Sequence, residues 1–515
     1  MIRDLAANGH AEFEADVLVV GGGTVGLVAA VQLAERGHIV VVMESGGREQ
    51  TAETHEFNEV AQTRATYGGA AHGRFRCLGG TSTRWGGALV PFAVADCTPE
   101  QWPVPRQELE RYIPIVESLF GLAPGSYEDD VAFDGLTADF RVRLAKWPSF
   151  RNRNVATLFA RQLRELPGLH VWLNAMATEF EVSEGELQSV TARSRDGAAL
   201  RVRARQVIVA AGAIETTRLL LLMDRQHDHT LFEPDRQLGR YFSDHLSVAV
   251  ADVKPVDRST LNVLVGFRFE RDGSMRNVRF ELTDGTTLRA SIPPCFAHIA
   301  FVQDQAGGFD ALRDLFRQVQ RRRLPDFALL LRLAAATPWL ARALWWRLVR
   351  RRLLYPPGAG IQLHMVIEQC PRAENRIRLS ATRSDAFGQP LAEIEWDVAP
   401  VDADNLLRAV TAFESAWNRS SLATVAQLQT YPAEVLKQAL TDGGGIFHPV
   451  GSARMATSPN HGVVDPALRP FRIRNVSVVS TAVLPRSGGA NPTMMLLLFG
   501  LRCVDNVDAA LGDST

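Results

Sequence analysis

Lysine is nearly absent from this sequence: of 56 basic residues, only Lys146, Lys254 and Lys437 are lysines. The arginine excess is what codon bias in a GC-rich genome produces, and we prefer this explanation to a functional one; the composition is compatible with a bacterial protein. Basic and acidic residues nearly balance, for a net charge of −1. This balance argues against nucleic acid as a partner.

Cysteine is also scarce. The five cysteines are scattered along the chain and odd in number, which predicts neither a disulfide framework nor a metal site and suits a cytoplasmic protein. No apolar run of 18 residues predicts a membrane span, and residues 1–15 lack the apolar core of a signal peptide. With 46% hydrophobic and 22% charged residues, the chain fits a globular enzyme of two domains.

A nucleotide-binding pattern is present near the N-terminus, in residues 15–45. A buried strand over 16–20 leads into the glycines Gly21, Gly23 and Gly26, a helix follows, and a second strand ends at Glu44. In such a unit the first glycine permits the tight turn, the second lets backbone approach a pyrophosphate, and the third lets the helix pack closely. Glu44 is expected to accept hydrogen bonds from a ribose. The pattern predicts a parallel α/β sheet that binds a dinucleotide.

Two further segments suit a close approach of backbone to a flat ligand. Residues 76–87 carry two Gly-Gly pairs around small hydroxyl residues and Trp85, a composition that forms neither a regular helix nor a strand. Residues 205–220 predict a buried strand, a small-residue turn at Gly212 and a helix from Glu215. Further on, His245 follows an acid and is either catalytic or, as we favour, a structural contact.

The middle of the chain predicts a second domain. Residues 246–303 alternate apolar and polar residues, as expected for an antiparallel sheet with one covered face. Residues 310–354 predict helices broken at Pro325 and Pro338, and their last part is rich in arginine and tryptophan. Such a segment is a helical cap over an active site, a partner surface or an interfacial membrane helix; we favour the cap or partner surface.

The best candidate for a base lies near the C-terminus. His448 stands in a loop between glycines, and an unperturbed histidine titrates near neutral pH. Asn491-Pro492 at a loop-to-helix junction places a polar amide there.

Taken in order, the motifs GGGTVG, LGGTSTRWGG, VIVAAGAIETTRLL, LGRYFSDH, HPVGSARM with GVVD, and SGGANPTMM resemble the glucose–methanol–choline (GMC) flavin oxidoreductases over nearly the whole chain. The resemblance implies an FAD-binding Rossmann-like domain, interleaved with an α+β substrate domain on a mixed, largely antiparallel sheet. We assign residues 12–98, 170–248 and 441–511 to the first domain. Residues 99–169 and 249–440 belong to the second, with a helical cap at 310–354.

The resemblance also implies roles for single residues. His448 matches the catalytic histidine of the family, and Asn491 matches its second catalytic position. The segment around Arg84 resembles pyranose oxidases most closely, and in those a histidine at the place of Arg84 holds the flavin covalently, so we predict non-covalent FAD. The residues expected to contact FAD are Gly21, Gly23, Gly26, Glu44, Gly80, Thr81, Trp85, Gly86, Ala177, Gly212, Asp465 and Thr493.

The implied reaction is oxidation of a hydroxyl group to a carbonyl, with hydride passing to flavin N5 and His448 taking the proton. By the same resemblance the substrate is a sugar, glycoside or sugar-derived metabolite, and the acceptor is oxygen or another oxidant. Two alternatives remain open. One is an alcohol dehydrogenase that contacts a membrane or protein partner through residues 310–354 and uses an acceptor other than oxygen. The other is a non-redox flavin-binding lyase.

Overall fold

The computed structural model describes residues 1–128, 133–136, 138–232, 236–302, 307–320, 324–356, 358–443 and 445–512. Within these residues, eighteen strands form three sheets. In chain order the strands are β1 (Ile2–Asp4), β2 (Ala11–Val20), β3 (Val40–Met43), β4 (Ala61–Arg64), β5 (Phe140–Trp147), β6 (Leu169–Leu173), β7 (Met176–Ser183), β8 (Glu186–Arg193), β9 (Ala199–Val209), β10 (His245–Pro255), β11 (Arg268–Phe269), β12 (Met275–Leu282), β13 (Cys295–Val302), β14 (Gly360–Glu368), β15 (Arg376–Ser384), β16 (Pro390–Trp396), β17 (Ala426–Thr430) and β18 (Val476–Val478).

Helices connect these strands and pack against the sheets. In the described residues they are α1 (Leu5–Asn8), α2 (Thr24–Glu35), α3 (Ala52–Glu56), α4 (Gly69–His72), α5 (Ile113–Phe120), α6 (Val155–Leu158), α7 (Gln162–Glu165), α8 (Ala213–Gln226), α9 (Arg258–Val265), α10 (Gly308–Gln320), α11 (Phe327–Ala335), α12 (Thr337–Trp345), α13 (Pro400–Arg419), α14 (Leu422–Val425), α15 (Ala433–Gly443) and α16 (Thr493–Gly512). Short 3₁₀ turns lie at Gly80–Thr83, Val94–Asp96, Arg106–Tyr112, Phe150–Asn152, Thr287–Ala290 and Thr481–Val483.

The larger sheet has the strand order β1-β6-β3-β2-β9-β8-β7, and β18 also pairs with β9. Its central strands are parallel, whereas β7 and β8 pair antiparallel. All four residues of β3 are buried, as expected for a strand covered on both faces. Helix α2 is apolar nearly all round and lies against α16, where a Cβ on Gly500 would come 2.4 Å from Val25. The predicted Rossmann-like sheet is confirmed.

The second sheet has the order β11-β12-β13-β14-β10-β17, with β5 on the far side of β12. All its pairings are antiparallel in the described residues. Helix α13 covers one face, where Phe413 and Trp417 pack on Phe280. The opposite face is left for the site described below. This sheet confirms the predicted fold class, while the domain boundaries given above stay a prediction.

The segment predicted as a helical cap consists of α10, α11, α12 and a π-helical turn at Trp346–Arg350. Pro325 directly precedes the N-cap residue Asp326, and Pro338 stands in the first turn of α12. Both prolines therefore mark helix starts. Proline lacks a backbone N–H, and the N–H groups at the start of a helix have no acceptor within the helix, so nothing is lost there. Among the described residues no single helix could cross a membrane. The pair Phe327–Ala335 and Thr337–Arg350, bent by 63°, has the length and composition for a broken span.

A buried ion cluster holds the start of α8 to the loop after β4. Glu215 accepts from Arg76 at 2.7 Å and from Arg218 at 2.9 Å, and all three side chains are buried. Burial alone raises the pKa of Glu215, but Arg76, Arg218 and Arg74 outweigh it and lower that pKa to about 2. Because the pKa of Glu215 in the folded protein lies below the ordinary 4.5, the ion cluster contributes fully to stability above pH 4.5. This contribution is lost as the pH falls towards 2.

Glu215→Gln is expected to lower the free energy of unfolding by about 3–5 kcal/mol, because it leaves the buried guanidinium of Arg76 without a carboxylate and takes one of two carboxylates from Arg218, which keeps Asp385. Urea denaturation at neutral pH measures the change. The matched control is Glu186→Gln, which breaks an exposed pair with Arg474 and is expected to cost about 0–1 kcal/mol. Equal losses in the two variants would contradict the structural role given to the cluster.

Candidate active site

The glycine turn after β2 brings two strand ends into contact. Gly21 has φ +110°, and a Cβ there would lie 2.6 Å from the carbonyl oxygen of Ala210, at the end of β9. A Cβ on Gly26 would lie 2.0 Å from the carbonyl oxygen of Gly21. Only glycine fits these two positions, which hold α2 against the carboxyl edge of the larger sheet.

Two other glycines at this edge face open space. A Cβ on Gly23 or Gly212 would meet nothing within 4 Å. Gly23 is the N-cap of α2 and provides no side-chain cap, and Gly212, with φ +77°, stands directly before α8. Bare helix N-termini with room in front of them form a ready site for a phosphate group. The geometry therefore fits the pyrophosphate of a dinucleotide.

Glu44 lies buried behind the same turn. One carboxylate oxygen accepts the Gly22 N–H and the other the Gly46 N–H, each at 2.8 Å. Burial raises the pKa of Glu44, and these two N–H donors oppose the shift. The oxygen that accepts from Gly22 keeps a lone pair for a ribose, while the other also accepts from the Ser45 hydroxyl at 3.4 Å, so the predicted ribose contact stays open. Ala177 stands two residues after Ala175, whose N–H donates to the carbonyl oxygen of Glu44.

The loop over residues 76–87 reaches the glycine turn. The Gly79 N–H donates to the Gly22 carbonyl at 2.8 Å, and a Cβ on Gly80 would lie 2.9 Å from the Cα of Gly23. Thr81 and Gly86 are exposed on this loop. Trp85 instead donates its indole N–H to the Arg153 carbonyl and packs edge-on against Phe120. For Trp85 the structure thus gives a packing role, and its contact with FAD stays a prediction.

Two more predicted residues differ in their placement. Thr493 is the first residue of α16 and is half-buried, so the N-terminus of that helix lies two residues from Asn491. Asp465 holds a turn by accepting the Arg469 N–H at 2.8 Å, and the next residue, Pro466, accepts from Arg502. Arg502 stands nine residues into α16, which corresponds to about 13 Å from its start. No described contact brings Asp465 to the glycine edge.

His448 and Asn491, both predicted as catalytic, lie side by side. Asn491 Nδ2 stands 3.1 Å from His448 Nε2. The other ring nitrogen of His448, Nδ1, stands 3.1 Å from His245 Nδ1, and His245 Nε2 stands 2.7 Å from the Gly488 carbonyl oxygen. Asn491 Oδ1 in turn accepts from the Arg279 guanidinium. These groups form one continuous chain of hydrogen bonds, which we call the His–Asn chain.

Both ends of the His–Asn chain fix the direction of every proton in it. A carbonyl oxygen only accepts, so His245 carries its proton on Nε2 and offers a lone pair at Nδ1. His448 must then donate from Nδ1, which leaves the lone pair on its Nε2. At the other end a guanidinium only donates, so the amide oxygen of Asn491 faces Arg279 and its NH₂ faces His448. The two ends agree: His448 Nε2 is the unprotonated nitrogen of the site, and its lone pair accepts from the Asn491 NH₂.

Burial keeps both imidazoles neutral. Burial lowers the pKa of His245 to about 4. The pKa of His448 is held well below its usual range by burial first, and then by His245 and the positive charge of Arg279. A neutral imidazole is the form that accepts a proton.

Asp244 clamps the two histidines through the backbone. One of its oxygens accepts the N–H groups of His245 and His448, each at 2.7 Å, and the other accepts from the Phe447 N–H and from the Tyr67 hydroxyl. Burial raises the pKa of Asp244 to about 7, and the four donors oppose this shift. The clamp sets the position of the His448 loop relative to β10.

Arg279 combines a full charge with unused donors. Its guanidinium stacks on the Phe296 ring at 4.3 Å, and burial lowers its pKa to about 10, so it stays protonated at neutral pH. Within the described part of the chain, its Nε and Nη1 have no hydrogen-bond partner. A buried guanidinium with two unpartnered nitrogens fits an electron-rich atom of a bound substrate or cofactor.

The face of the second sheet beside Arg279 carries rings and imidazoles. Trp147 donates to Asn277 at 2.7 Å, and its ring lies 2.8 Å from where a Cβ on Gly86 would stand. His298 and His364 are cross-strand partners with ring centroids 5.4 Å apart. Burial lowers the pKa of His298 to about 3, so its ring is neutral. This face joins the loop of residues 76–87 to the His–Asn chain.

Sequence reasoning missed several of these groups. His245 was interpreted as a structural contact, whereas it hydrogen-bonds His448 directly. Arg279, His298 and His364 stand on strands whose alternating pattern predicts a sheet but gives no sign of which polar residues meet at one site. For His245 the sequence does contain a signal of function, because this histidine ends the LGRYFSDH motif, one of those that carry the family resemblance.

Family comparisons agree with this architecture. Residues 371–500 match the C-terminal domain of GMC oxidoreductases, and residues 16–55 match an FAD-binding domain. The chain is 23% identical to 6'''-hydroxyparomomycin C oxidase of Streptomyces lividus, over 97% of this chain and 92% of that protein. It is 22% identical to 2-methyl-1,2-propanediol dehydrogenase of Mycolicibacterium austroafricanum, over 67% of this chain and 55% of that protein.

Among solved structures, pyridoxine 4-oxidase from Mesorbium loti superposes with a TM-score of 0.61 at 17% identity, covering 96% of this chain and 99% of that one. This likeness concerns the fold alone. Together with the family matches, it confirms the resemblance inferred from the sequence. The chain carries the C-terminal domain of GMC oxidoreductases and an FAD-binding domain, and it is an FAD-dependent enzyme that acts on alcohol groups. The closer resemblance to pyranose oxidases stays a prediction.

Proposed function

We propose that this enzyme oxidises a hydroxyl group of a sugar, glycoside or sugar-derived metabolite to a carbonyl. The observation that carries the proposal is the His–Asn chain. It leaves one unprotonated nitrogen, His448 Nε2, beside one amide donor, Asn491 Nδ2, at 3.1 Å. A base and a donor so placed can hold the same substrate oxygen.

In this mechanism His448 Nε2 takes the proton of the substrate hydroxyl, while Asn491 Nδ2 donates a hydrogen bond to the same oxygen. When bound, FAD supplies the acceptor for the hydride that leaves the substrate carbon. Arg279 holds the Asn491 amide in its donating orientation, and its charge stabilises the electron-rich oxygen. His245 holds His448 in the tautomer that leaves Nε2 free. These groups hold the substrate hydroxyl in the geometry that proton transfer needs, which lowers the entropic cost of the reaction.

The groups that would hold FAD are the glycines of the first turn, Gly212, the loop of residues 76–87 and the N-terminus of α16. We further propose that the cofactor is held without a covalent bond, since Arg84 stands where pyranose oxidases attach flavin to a histidine. Acid precipitation tests this: yellow flavin is expected in the supernatant. Flavin that stays with the precipitated protein would contradict it.

A sugar-like substrate is supported by two observations. The relative that matches most of the chain is named for hydroxyparomomycin. The face beside the His–Asn chain offers the rings of Trp147 and Phe296, and the neutral imidazoles of His298 and His364. Aromatic faces with a few placed polar groups are typical of sites for small polar ligands.

The experiment is anaerobic loss of flavin absorbance on mixing the enzyme with sugars, glycosides, aminosugars and simple alcohols. We expect bleaching by a sugar-like compound and none by its deoxy analogue, which lacks the oxidised hydroxyl. Admitting air to the bleached enzyme then distinguishes oxygen from another acceptor. Bleaching by simple alcohols alone would overturn the sugar assignment, and cyanohydrin cleavage without any bleaching would overturn oxidation.

The glycine turn offers a matched pair of variants. Gly23→Ala places its methyl group where nothing lies within 4 Å in the protein, so the fold is expected to persist while bound FAD falls at least about tenfold. Gly26→Ala meets the Gly21 carbonyl at 2.0 Å and is expected to unfold the first domain. Circular dichroism and the flavin-to-protein absorbance ratio measure both outcomes. Full FAD content in Gly23→Ala would show that this space is not the pyrophosphate site.

Arg279→Met tests the charge beside the base. Arg279 helps to lower the pKa of His448, so removing the charge raises that pKa. Because the reaction needs unprotonated His448, the acid limb of the kcat/KM profile is expected to move to higher pH. The control is Arg276→Met on the same strand, whose partner is Glu270. An unmoved or lowered acid limb in Arg279→Met would contradict the electrostatic role.

A further inference from the structure

An unusual share of the exposed apolar side chains lies on one helical segment. Among the described residues, eighteen large apolar side chains are exposed, and eight of them lie within residues 324–349. Leu348 and Phe327 expose 69% and 75% of their surface. Scattered apolar residues are normal on a protein surface, but a cluster of this kind marks a place of contact. The eight are Leu324, Phe327, Leu330, Leu331, Leu344, Trp345, Leu348 and Val349.

The same segment is strongly basic. Residues 327–367 contain six arginines and no aspartate or glutamate, in a chain whose net charge is −1. Four of these arginines are exposed, and no carboxylate of the described residues lies within ion-pair distance of them. The acids on α10 are already engaged, since Asp310 pairs with Arg313 and Asp314 with Arg332. The four exposed arginines are Arg342, Arg347, Arg350 and Arg351.

We propose that these eight apolar residues and four arginines form a surface, here called the Arg–Trp surface, that docks on an anionic lipid bilayer. Apolar side chains enter the boundary between headgroups and acyl chains, while arginines meet lipid phosphates. Tryptophan is typical of the boundary between headgroups and acyl chains, where Trp345 would lie. The Arg350 guanidinium lies 5.4 Å from the Trp345 ring centroid, so a group that binds lipid phosphate stands beside this ring.

Charge decides between the bilayer and other occupants. A second copy of the chain would bring four arginines against four arginines without acids to pair them, which opposes self-association. A broken membrane span would carry Arg332 and Arg342 into hydrocarbon at a cost of several kcal/mol. Helices lying in the plane of the bilayer avoid both costs and leave each arginine in reach of phosphate.

The Arg–Trp surface is connected to the active-site face. The Leu353 N–H, just beyond the π-helical turn, donates to the Phe267 carbonyl at 2.9 Å. The Phe267 ring packs edge-on against Trp147 at 5.2 Å, and Trp147 lies beside Gly86. Docking would therefore bring Phe267 and Trp147, at the edge of the active-site face, close to the bilayer.

Co-sedimentation of the FAD-loaded protein with vesicles tests the proposal. We expect binding to vesicles of equal parts phosphatidylglycerol and phosphatidylcholine, weakened by salt, and little binding to phosphatidylcholine alone. The double variant Leu348→Ser/Val349→Ser is expected to lose about tenfold or more in affinity. Arg342→Gln/Arg350→Gln is expected to lose about fivefold for each charge removed.

Two matched controls remove similar groups elsewhere. Phe150→Ser/Val435→Ser removes other exposed apolar side chains, and Arg193→Gln/Arg378→Gln removes the same charge; both are expected to bind as the unaltered protein does. Flavin absorbance and melting temperature verify that every variant is folded. Equal binding to neutral and anionic vesicles, or no binding at all, would overturn the proposal. A dimer that Leu348→Ser/Val349→Ser dissociates, without lipid binding, would reassign the surface to self-association.

Discussion

Replacing His448 by alanine is expected to slow flavin bleaching by the best substrate about 10²–10⁴-fold, the usual contribution of a general base. In the His–Asn chain, Nε2 of His448 is the unprotonated imidazole nitrogen that lies beside the Asn491 amide. The unprotonated Nδ1 of His245 is not in the same place, because it faces Nδ1 of His448, on the other side of that ring from Asn491. Stopped-flow spectrophotometry without oxygen isolates this step from the later use of an electron acceptor.

The pH dependence of the bleaching rate provides a second test with the His448→Ala variant. Without a base the substrate must lose its proton to hydroxide, so the residual rate of His448→Ala is expected to rise steadily with pH. The control His461→Ala removes an exposed histidine that contacts Ser458 and is expected to bleach at the normal rate. A His448→Ala enzyme within about threefold of the normal rate would remove His448 from the role of base.

The parts of the fold that could be predicted from the sequence are those whose cause is local. The clash that makes Gly26 necessary involves Gly21, five residues away, so the glycine pattern alone reveals the turn, the helix and the strand end. The small-residue turn at Gly212 was found for the same reason. The helix after it begins at Ala213 rather than at Glu215, which is a small shift of its N-terminus.

The catalytic groups depend on contacts that no local pattern contains. His245 and His448 are 203 residues apart in sequence, and Arg279 and Asn491 are 212 apart. Their meeting follows from the strand order of the second sheet, in which β13 and β14 lie between β12 and β10, and from the clamp of Asp244. Chemistry alone makes His448 the best candidate for a base, but the catalytic pairing of His448 with Asn491 came from the family resemblance, and that resemblance gave no role to Arg279. A strand pattern tells which residues share a face, but not which faces meet.

For Asp465 the structure shows a local role. The resemblance in the GVVD motif assigns it to the cofactor, and that contact stays a prediction, while in the structure its carboxylate closes a turn on the Arg469 N–H. An aspartate in a turn often accepts a nearby backbone N–H, so local geometry accounts for this residue. Its neighbours in sequence could have suggested this, because a proline follows it directly.

Replacing His245 by leucine is expected to lower kcat about 10²-fold while KM and bound FAD stay nearly unchanged. Leucine fills the space but offers no lone pair to the Nδ1 proton of His448. The imidazole then loses the partner that fixes its tautomer and its orientation, and Nε2 no longer carries the lone pair in every molecule. Because His245 does not touch the substrate in this mechanism, binding is not the step that suffers.

Asparagine at the same position separates positioning from simple packing. The Oδ1 atom of His245→Asn can stand close to where Nδ1 was and accept the His448 proton, so this variant is expected to keep kcat within about tenfold. The control His170→Leu removes a histidine that packs on Phe13, outside the site, and is expected to leave kcat unchanged. If leucine and asparagine at position 245 lower kcat equally, accepting the hydrogen bond from His448 is not what His245 contributes. If asparagine restores most of the rate, the direction of one hydrogen bond, from His448 Nδ1 to position 245, is what prepares the base.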